Sequence, residues 1–170
     1  MSPLHRLIIL RHAKSSWSTP LPDHERPLNK RGNRDALAAG EWLAAHTGTV
    51  DQVLCSTATR TRLTWERAQA GGASANSVSF HDDIYGNAVP EFEHLILGLP
   101  ESVGTALFIG HWPGVLELAH HFGMPDAHPG WAQMDEKFPT SGIAVLGSEM
   151  QWKQLRERSA KLRDFVVPRG

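Results

Sequence analysis

Arg11 and His12 stand immediately after the apolar run Leu7 to Leu10, and three further apolar runs end in residues of similar type. Ser56 and then Arg60 follow Val53 to Cys55; His81, Asp82 and Asp83 follow Val78 to Phe80; Gly110 and His111 follow Ala106 to Ile109. If the four runs are strands of one open α/β sheet, these residues share the carboxyl edge, where such sheets bind ligands. Two arginines, two histidines and an acid gathered there suit phosphate. In phosphoryl transfer, charge spreads over the equatorial oxygens while attacking and leaving atoms lie in line, so fixed cations must surround the group. Arg11 and Arg60 offer planar, permanently charged forks that match phosphate oxygens, and His111 adds a third donor if protonated. His12 suits a different task, because a neutral imidazole is a nucleophile near pH 7 when its other ring nitrogen donates to a fixed acceptor, often a backbone carbonyl.

Covalent capture on His12 would divide the reaction into transfer to the ring and attack by water, with no metal and no cofactor. The chain carries no Walker P-loop, no HExxH helix and no acid cluster at metal-ligand spacing, in keeping with that route. A cysteine route fails on spacing. The sixth residue after Cys55 is Thr61, with Arg60 one residue early, Arg62 one late and no glycine between; Cys55 reads as a small apolar residue at a buried strand end. The neighbours His120 and His121 point about 100° apart on a helix and cannot share an ion. The tryptophans, among them Trp42 and Trp65, read as core or rim, with Trp17 and Trp112 close in sequence to the two site histidines; Lys14 and Arg26 read most simply as solvated.

The elements that must position these groups follow from periodicity. Together with Ile143 to Leu146, the four apolar runs predict five strands. Ala36, Ala39, Gly40 and Leu43 recur at helical spacing, Thr57 to Gln69 has few breakers, Val89 to Leu99 lies between Pro90 and Pro100 as start and stop, and Gly114 to Phe122 is entered through Pro113. Such alternation predicts an α/β fold, a three-layer α/β/α sandwich around a mainly parallel sheet. With 170 residues and no repeat or linker, one domain over 1–170 is expected. A formal net charge of -1 provides no basic field for nucleic acid or a membrane surface, and neither partner is expected. One cysteine excludes an internal disulfide framework, and the opening apolar run is too short for a signal peptide or a span, which suggests the cytoplasm.

The segment LIILRHAKSSWS resembles the N-terminal signature of the histidine phosphatase superfamily, an RHG followed by Ser or Thr, and is closest to its SixA-like phosphohistidine phosphatase branch. RPLNKRGNRDA, CSTATRTRLTWE, LFIGHWPGV and FPTSGIAVL are similar in turn to the segment leading into the first helix, the second-arginine segment, the second-histidine strand and the last core strand. The resemblance spans nearly the whole chain. It implies a phosphoglycerate mutase-like fold and a pocket of Arg11, His12, Arg60 and His111, with His12 phosphorylated in turnover and Ser15 placed against the phosphate. It also implies a phosphorylated protein or small phosphorylated molecule as substrate, with removal of phosphate from protein phosphohistidine foremost. A small-molecule phosphomonoesterase and a decayed phosphate-binding module are the alternatives. In the related mutases the proton donor lies three residues before a tyrosine that follows the third strand; Asp82 stands in that relation to Tyr85, with Asp83 and Glu91 as alternatives. Two departures bear on geometry: Ala13 replaces the usual glycine, and Thr57 replaces a proline that would stiffen the turn before Arg60. Ser18, where mutase-like members carry asparagine, argues against a mutase.

Overall fold

The computed structural model describes residues 4–170. Strand β1 (His5–Arg11) lies inside a six-stranded sheet with β2 (Val50–Ser56), β3 (Ala75–His81), β4 (Thr105–Gly110), β5 (Ile143–Ser148) and β6 (Lys161–Val166), in the order β3-β2-β4-β1-β5-β6. The first four run parallel to one another, whereas β5 pairs antiparallel with β1 and β6 antiparallel with β5. The sheet is mainly parallel, as expected, with the antiparallel β5 and β6 at one side, and its parallel part carries the proposed site.

Period-two alternation along β1 sorts its side chains between two cores. Ile8 and Leu10 face a cluster containing Ala39 and Leu43 of α1 (Lys30–His46) and Trp65 and Ala68 of α2 (Thr59–Ala70). Leu7 and Ile9 face a larger cluster built with α4 (Val89–Leu97), α5 (Gly114–Phe122) and α6 (Pro129–Glu136), which includes Phe92, Phe122 and Met134. A one-turn helix, α3 (Asp82–Tyr85), follows β3 directly. Helices therefore cover both faces, as the three-layer reading requires. No helix among the described residues is long and apolar enough to cross a membrane.

The sequence reading finds the five apolar strands and misses β6, α6 and the one-turn α3. In β6, charged Lys161, Arg163 and Asp164 dilute the apolar signal, as befits an edge strand that must resist pairing with other chains. Within α6, Pro129 and Gly130 are residue types that disfavour a helix interior, yet Pro129 occupies the first turn and His128 Nδ1 accepts from the Gly130 amide at 2.9 Å, an N-terminal cap.

Helix α1 also supports the loop after β1. Asn29 caps it by accepting from the Gly32 amide at 2.8 Å, and the Asn29 amide donates to the Lys14 carbonyl at 3.0 Å. Gly32 packs so closely on that loop that a Cβ would stand 2.0 Å from the Lys14 carbonyl oxygen. Alanine gains about 1 kcal/mol of helix propensity over glycine, but a clash with backbone costs about 1–3 kcal/mol or more. Gly32→Ala is therefore expected to destabilise the protein by up to about 2 kcal/mol and to impair the loop bearing His12. Urea unfolding checks this, and a stabilised variant would show the loop does not rest on the helix.

Candidate active site

In the parallel ladder between β1 and β4, Arg11 is paired with Gly110, and the His12 amide continues the ladder to the Gly110 carbonyl at 3.0 Å. The next residue on each strand is a histidine. His12 and His111 consequently lie side by side, ring centroids 5.3 Å apart, each buried. His12 Nδ1 lies 2.7 Å from the Ala13 carbonyl oxygen. A carbonyl only accepts, so Nδ1 carries the proton and Nε2 keeps a free lone pair. Burial, with the nearby His111, Arg60 and Arg11, pushes the His12 pKa down to about 3, against a partial offset from the Ala13 contact. The ring is neutral at pH 7, as a nucleophilic imidazole must be.

Ala13 fits without strain. Its side chain is fully buried with Leu28 and Ala36, and its amide donates to Thr64 Oγ1 at 3.0 Å. Thr57 replaces the stiffness of proline with bonds: its hydroxyl donates to Asp82 at 2.6 Å and lies 2.9 Å from His24 Nε2, while its carbonyl accepts from Arg62 Nε at 2.9 Å. At the strand end itself, Ser56 Oγ accepts from the Ala58 amide at 3.2 Å and meets His111 Nε2 at 2.8 Å.

The two guanidinium groups are anchored and still have capacity. Arg11 Nη1 donates to the Phe138 carbonyl at 2.8 Å, and Arg60 Nη1 to the Asp23 carbonyl at 2.8 Å. The Nε atoms of both arginines, and His111 Nδ1, are buried with no hydrogen-bond partner. An unmade bond at a buried donor costs about 1–3 kcal/mol, so the two guanidinium Nε donors, with a ring nitrogen of His111 also unpartnered, mark a place prepared for an acceptor. Burial and then the Arg60 charge lower the Arg11 pKa below its ordinary value. Burial, followed by the arginine charges, takes His111 down to about 3. His111 is therefore neutral at pH 7, and its capacity to donate is that of a neutral N–H rather than of the protonated ring considered from sequence.

The other expected residues take different places. Ser15 is buried, but its hydroxyl accepts from Arg26 Nη1 at 2.8 Å. Asp82 is exposed and engaged with Thr57; with Asp83 and Glu91 it lines an open groove of about 230 Å³. Arg26 is not solvated, contrary to the sequence reading. It is 6% exposed, lies under the Trp17 ring at 3.5 Å and pairs with Asp23 at 3.3 Å. Asp23, which sequence reasoning missed, is the carboxylate that contacts the pocket: Oδ2 accepts from Arg60 Nη2 at 3.1 Å and from the Tyr85 hydroxyl at 2.8 Å. Burial pushes its pKa up, but Tyr85, Arg60 and Arg26 outweigh that and hold it below the ordinary carboxylate value. Asp23 does not follow a strand, as the phosphate-binding pattern in the sequence does, but sits in a short 3-10 turn of the loop between β1 and α1. The available signal was its i, i+3 spacing from Arg26 at the head of the RPL segment.

The model of the histidine phosphatase superfamily (branch 1) matches residues 7–84. An uncharacterised protein of Mycobacterium tuberculosis is 40% identical over 163 residues, covering 94% of this chain and all of the relative. A structure described as a candidate phosphohistidine phosphatase SixA from Nakamurella multipartitia is similar at 30% identity, TM-score 0.85, over 98% of each chain. Another such candidate, from Agrobacterium tumefaciens, is 28% identical with a TM-score of 0.77 over 96% of this chain and 99% of that one. This chain belongs to the histidine phosphatase superfamily. Within the superfamily it is SixA-like, its fold is the phosphoglycerate mutase-like α/β/α sandwich, and it is a phosphatase.

Other chemistry has weaker support. Burial pushes the Cys55 thiol up to about 12, far from a reactive thiolate. One group that could hold an ion, Glu93, His121 and Glu157 with donor atoms within 4.8 Å of one another, lies at the other end of α5 from His111, and His121 is already paired with Glu93. His120 stacks on Trp131 and pairs with Asp135.

The two depressed histidines have a consequence for stability. Their folded pKa values near 3 lie below the ordinary 6.5, so the unfolded chain binds more protons between those values. Their contribution is fully present above pH 6.5 and is lost as pH falls toward 3. Urea unfolding at pH 7, 5.5 and 4.5 should show falling stability, with a shallower fall in a His12→Asn/His111→Asn double variant. An identical slope in both proteins would contradict the buried, neutral assignment.

Proposed function

We propose that the protein hydrolyses phosphohistidine in a protein through a phosphorylated His12, without metal or cofactor, as a single cytoplasmic domain. The observation that carries this reading is the His12 ring: neutral, oriented by the Ala13 carbonyl, and set beside His111 and two arginines with unused buried donors. In the first step His12 Nε2 attacks phosphorus while Arg11, Arg60 and His111 receive the equatorial oxygens. In the second, water attacks the phosphohistidine and the same donors hold the departing phosphate.

Two features favour a protein substrate. The relatives at 30% and 28% identity are described as candidate SixA phosphohistidine phosphatases. The surroundings of the site residues are also open, with Trp17 76% and Trp112 54% exposed next to Arg26 and His111 in space or sequence, where a protein surface could rest on them. Imidazole titrates near pH 6.5, so a phosphohistidine ring can be protonated before it leaves, which lightens the demand on any acid. The buried, unpaired Cys55 accords with a reducing compartment.

His12→Ala should abolish turnover and remove acid-labile phosphate from the trapped enzyme; retained activity would defeat the covalent route. Arg60→Ala should reduce kcat/KM by roughly 10²–10³-fold, the loss for one preorganised donor. Turnover of a phosphohistidine-bearing protein compared with sugar phosphates and nucleotides tests the substrate class, and a large preference for the esters would replace it with a small-molecule phosphomonoesterase. Absence of both hydrolysis and histidine-linked phosphate would leave a phosphate-binding module.

A further inference from the structure

We propose that Asp23, rather than Asp82, is the catalytic acid and base of this site, poised on Arg60 until the substrate phosphate takes its place. The inference deepens the reading that His12 is the nucleophile and rests on it. In-line displacement puts the leaving atom opposite the attacking one. His12 is the buried floor of the pocket, at 7% exposure, so the leaving group departs toward solvent. Asp23, its side chain 52% exposed, is the carboxylate on the exposed side of Arg60: it bonds Arg60 and the Tyr85 hydroxyl through Oδ2 and Arg26 through Oδ1. Asp82 is committed to Thr57 instead.

The same contacts explain how the group changes role. Asp23 does what a phosphate oxygen would do, accepting from Arg60, and the Tyr85 hydroxyl with the cations Arg60 and Arg26 keeps it ionised. A phosphate dianion that claims Arg60 removes one of those cations and sets two negative charges nearby, which favours the protonated carboxyl. The titratable and charged groups facing Asp23 are Arg60 from α2, Tyr85 from α3, Arg26 from its own loop and, more distantly, His111 after β4. Asp23, having taken a proton from solvent as substrate binds, gives it to the leaving oxygen or nitrogen as the bond from phosphorus breaks and the bond to His12 Nε2 forms. Asp23, now a carboxylate, then accepts a proton from the water whose oxygen attacks phosphorus, and the electron pair of the P–N bond returns to His12. As phosphate leaves, Asp23 returns a proton to solvent, matching the one taken up on binding, so the sum consumes one water and releases the protonated leaving group and hydrogen phosphate.

The test is leaving-group dependence. Asp23→Asn and Asp82→Asn are compared with wild type on an alkyl phosphate such as phosphoserine, on 4-nitrophenyl phosphate and on a phosphohistidine peptide. General acid catalysis contributes roughly 10²–10⁴-fold. Asp23→Asn should therefore lose at least about 100-fold in kcat on the alkyl ester and far less on the other two, whose leaving groups need little protonation, with its thermal unfolding midpoint retained. An equal loss on all three substrates overturns the proposal in favour of a residue that only positions Arg60. A leaving-group-dependent loss in Asp82→Asn but not in Asp23→Asn overturns it in favour of Asp82. His12→Ala reads the underlying route separately: turnover kept in that variant defeats the phosphohistidine intermediate whatever Asp23 does.

Discussion

The parallel register between β1 and β4 is the constraint on which the site depends. Because Arg11 is opposite Gly110, the residue after each strand is brought to the same level of the sheet edge, and those residues are His12 and His111. Adjacent strands are separated by about 4.8 Å, which makes imidazole contact at 5.3 Å a consequence of pairing rather than of loop placement. Slipping the register by one residue would turn every β1 side chain to the opposite face. Two fully buried cores, one on each side of β1, forbid that slip.

Burial then does two opposed things to the same residues. It holds both imidazoles neutral, which leaves one with a lone pair and the other with an N–H, and it leaves donors of Arg11, Arg60 and His111 without partners. A folded protein seldom tolerates several unpaired buried donors together. An oxyanion accepting from those groups would supply hydrogen bonds that the protein's own atoms do not make. Asp23 partly relieves the cost by serving Arg60 from the solvent side, and Tyr85 and Arg26 keep it there.

The supporting elements follow from this need for a fixed floor. The Asn29 cap and the close approach of Gly32 to Lys14 clamp the loop after β1 onto α1, while Ser141 donates its amide to the Arg11 and His12 carbonyls at 3.1 Å from the other side. The chain's own departures from the superfamily pattern are absorbed locally. Ala13 fills a small apolar cluster, and Thr57 replaces a rigid ring by hydrogen bonds to its neighbours.

What the sequence determined alone was the alternation of strands and helices, the face that α1 buries, and the identity of residues at four strand ends. Those features are carried by short-range periodicity, and a local pattern suffices to read them. The edge strand β6 was illegible because its charges serve to discourage pairing, and α6 because Pro129 and Gly130 carry opposite meanings inside a helix and at its start. Tertiary structure alone decided the protonation of His12 and His111, which follows from burial by distant segments, and the place of Arg26, which is covered by Trp17. It alone also brought Asp23 to Arg60 across 37 residues of chain. A loop residue has no periodicity to announce it, and its partner is chosen by the path of the backbone through space.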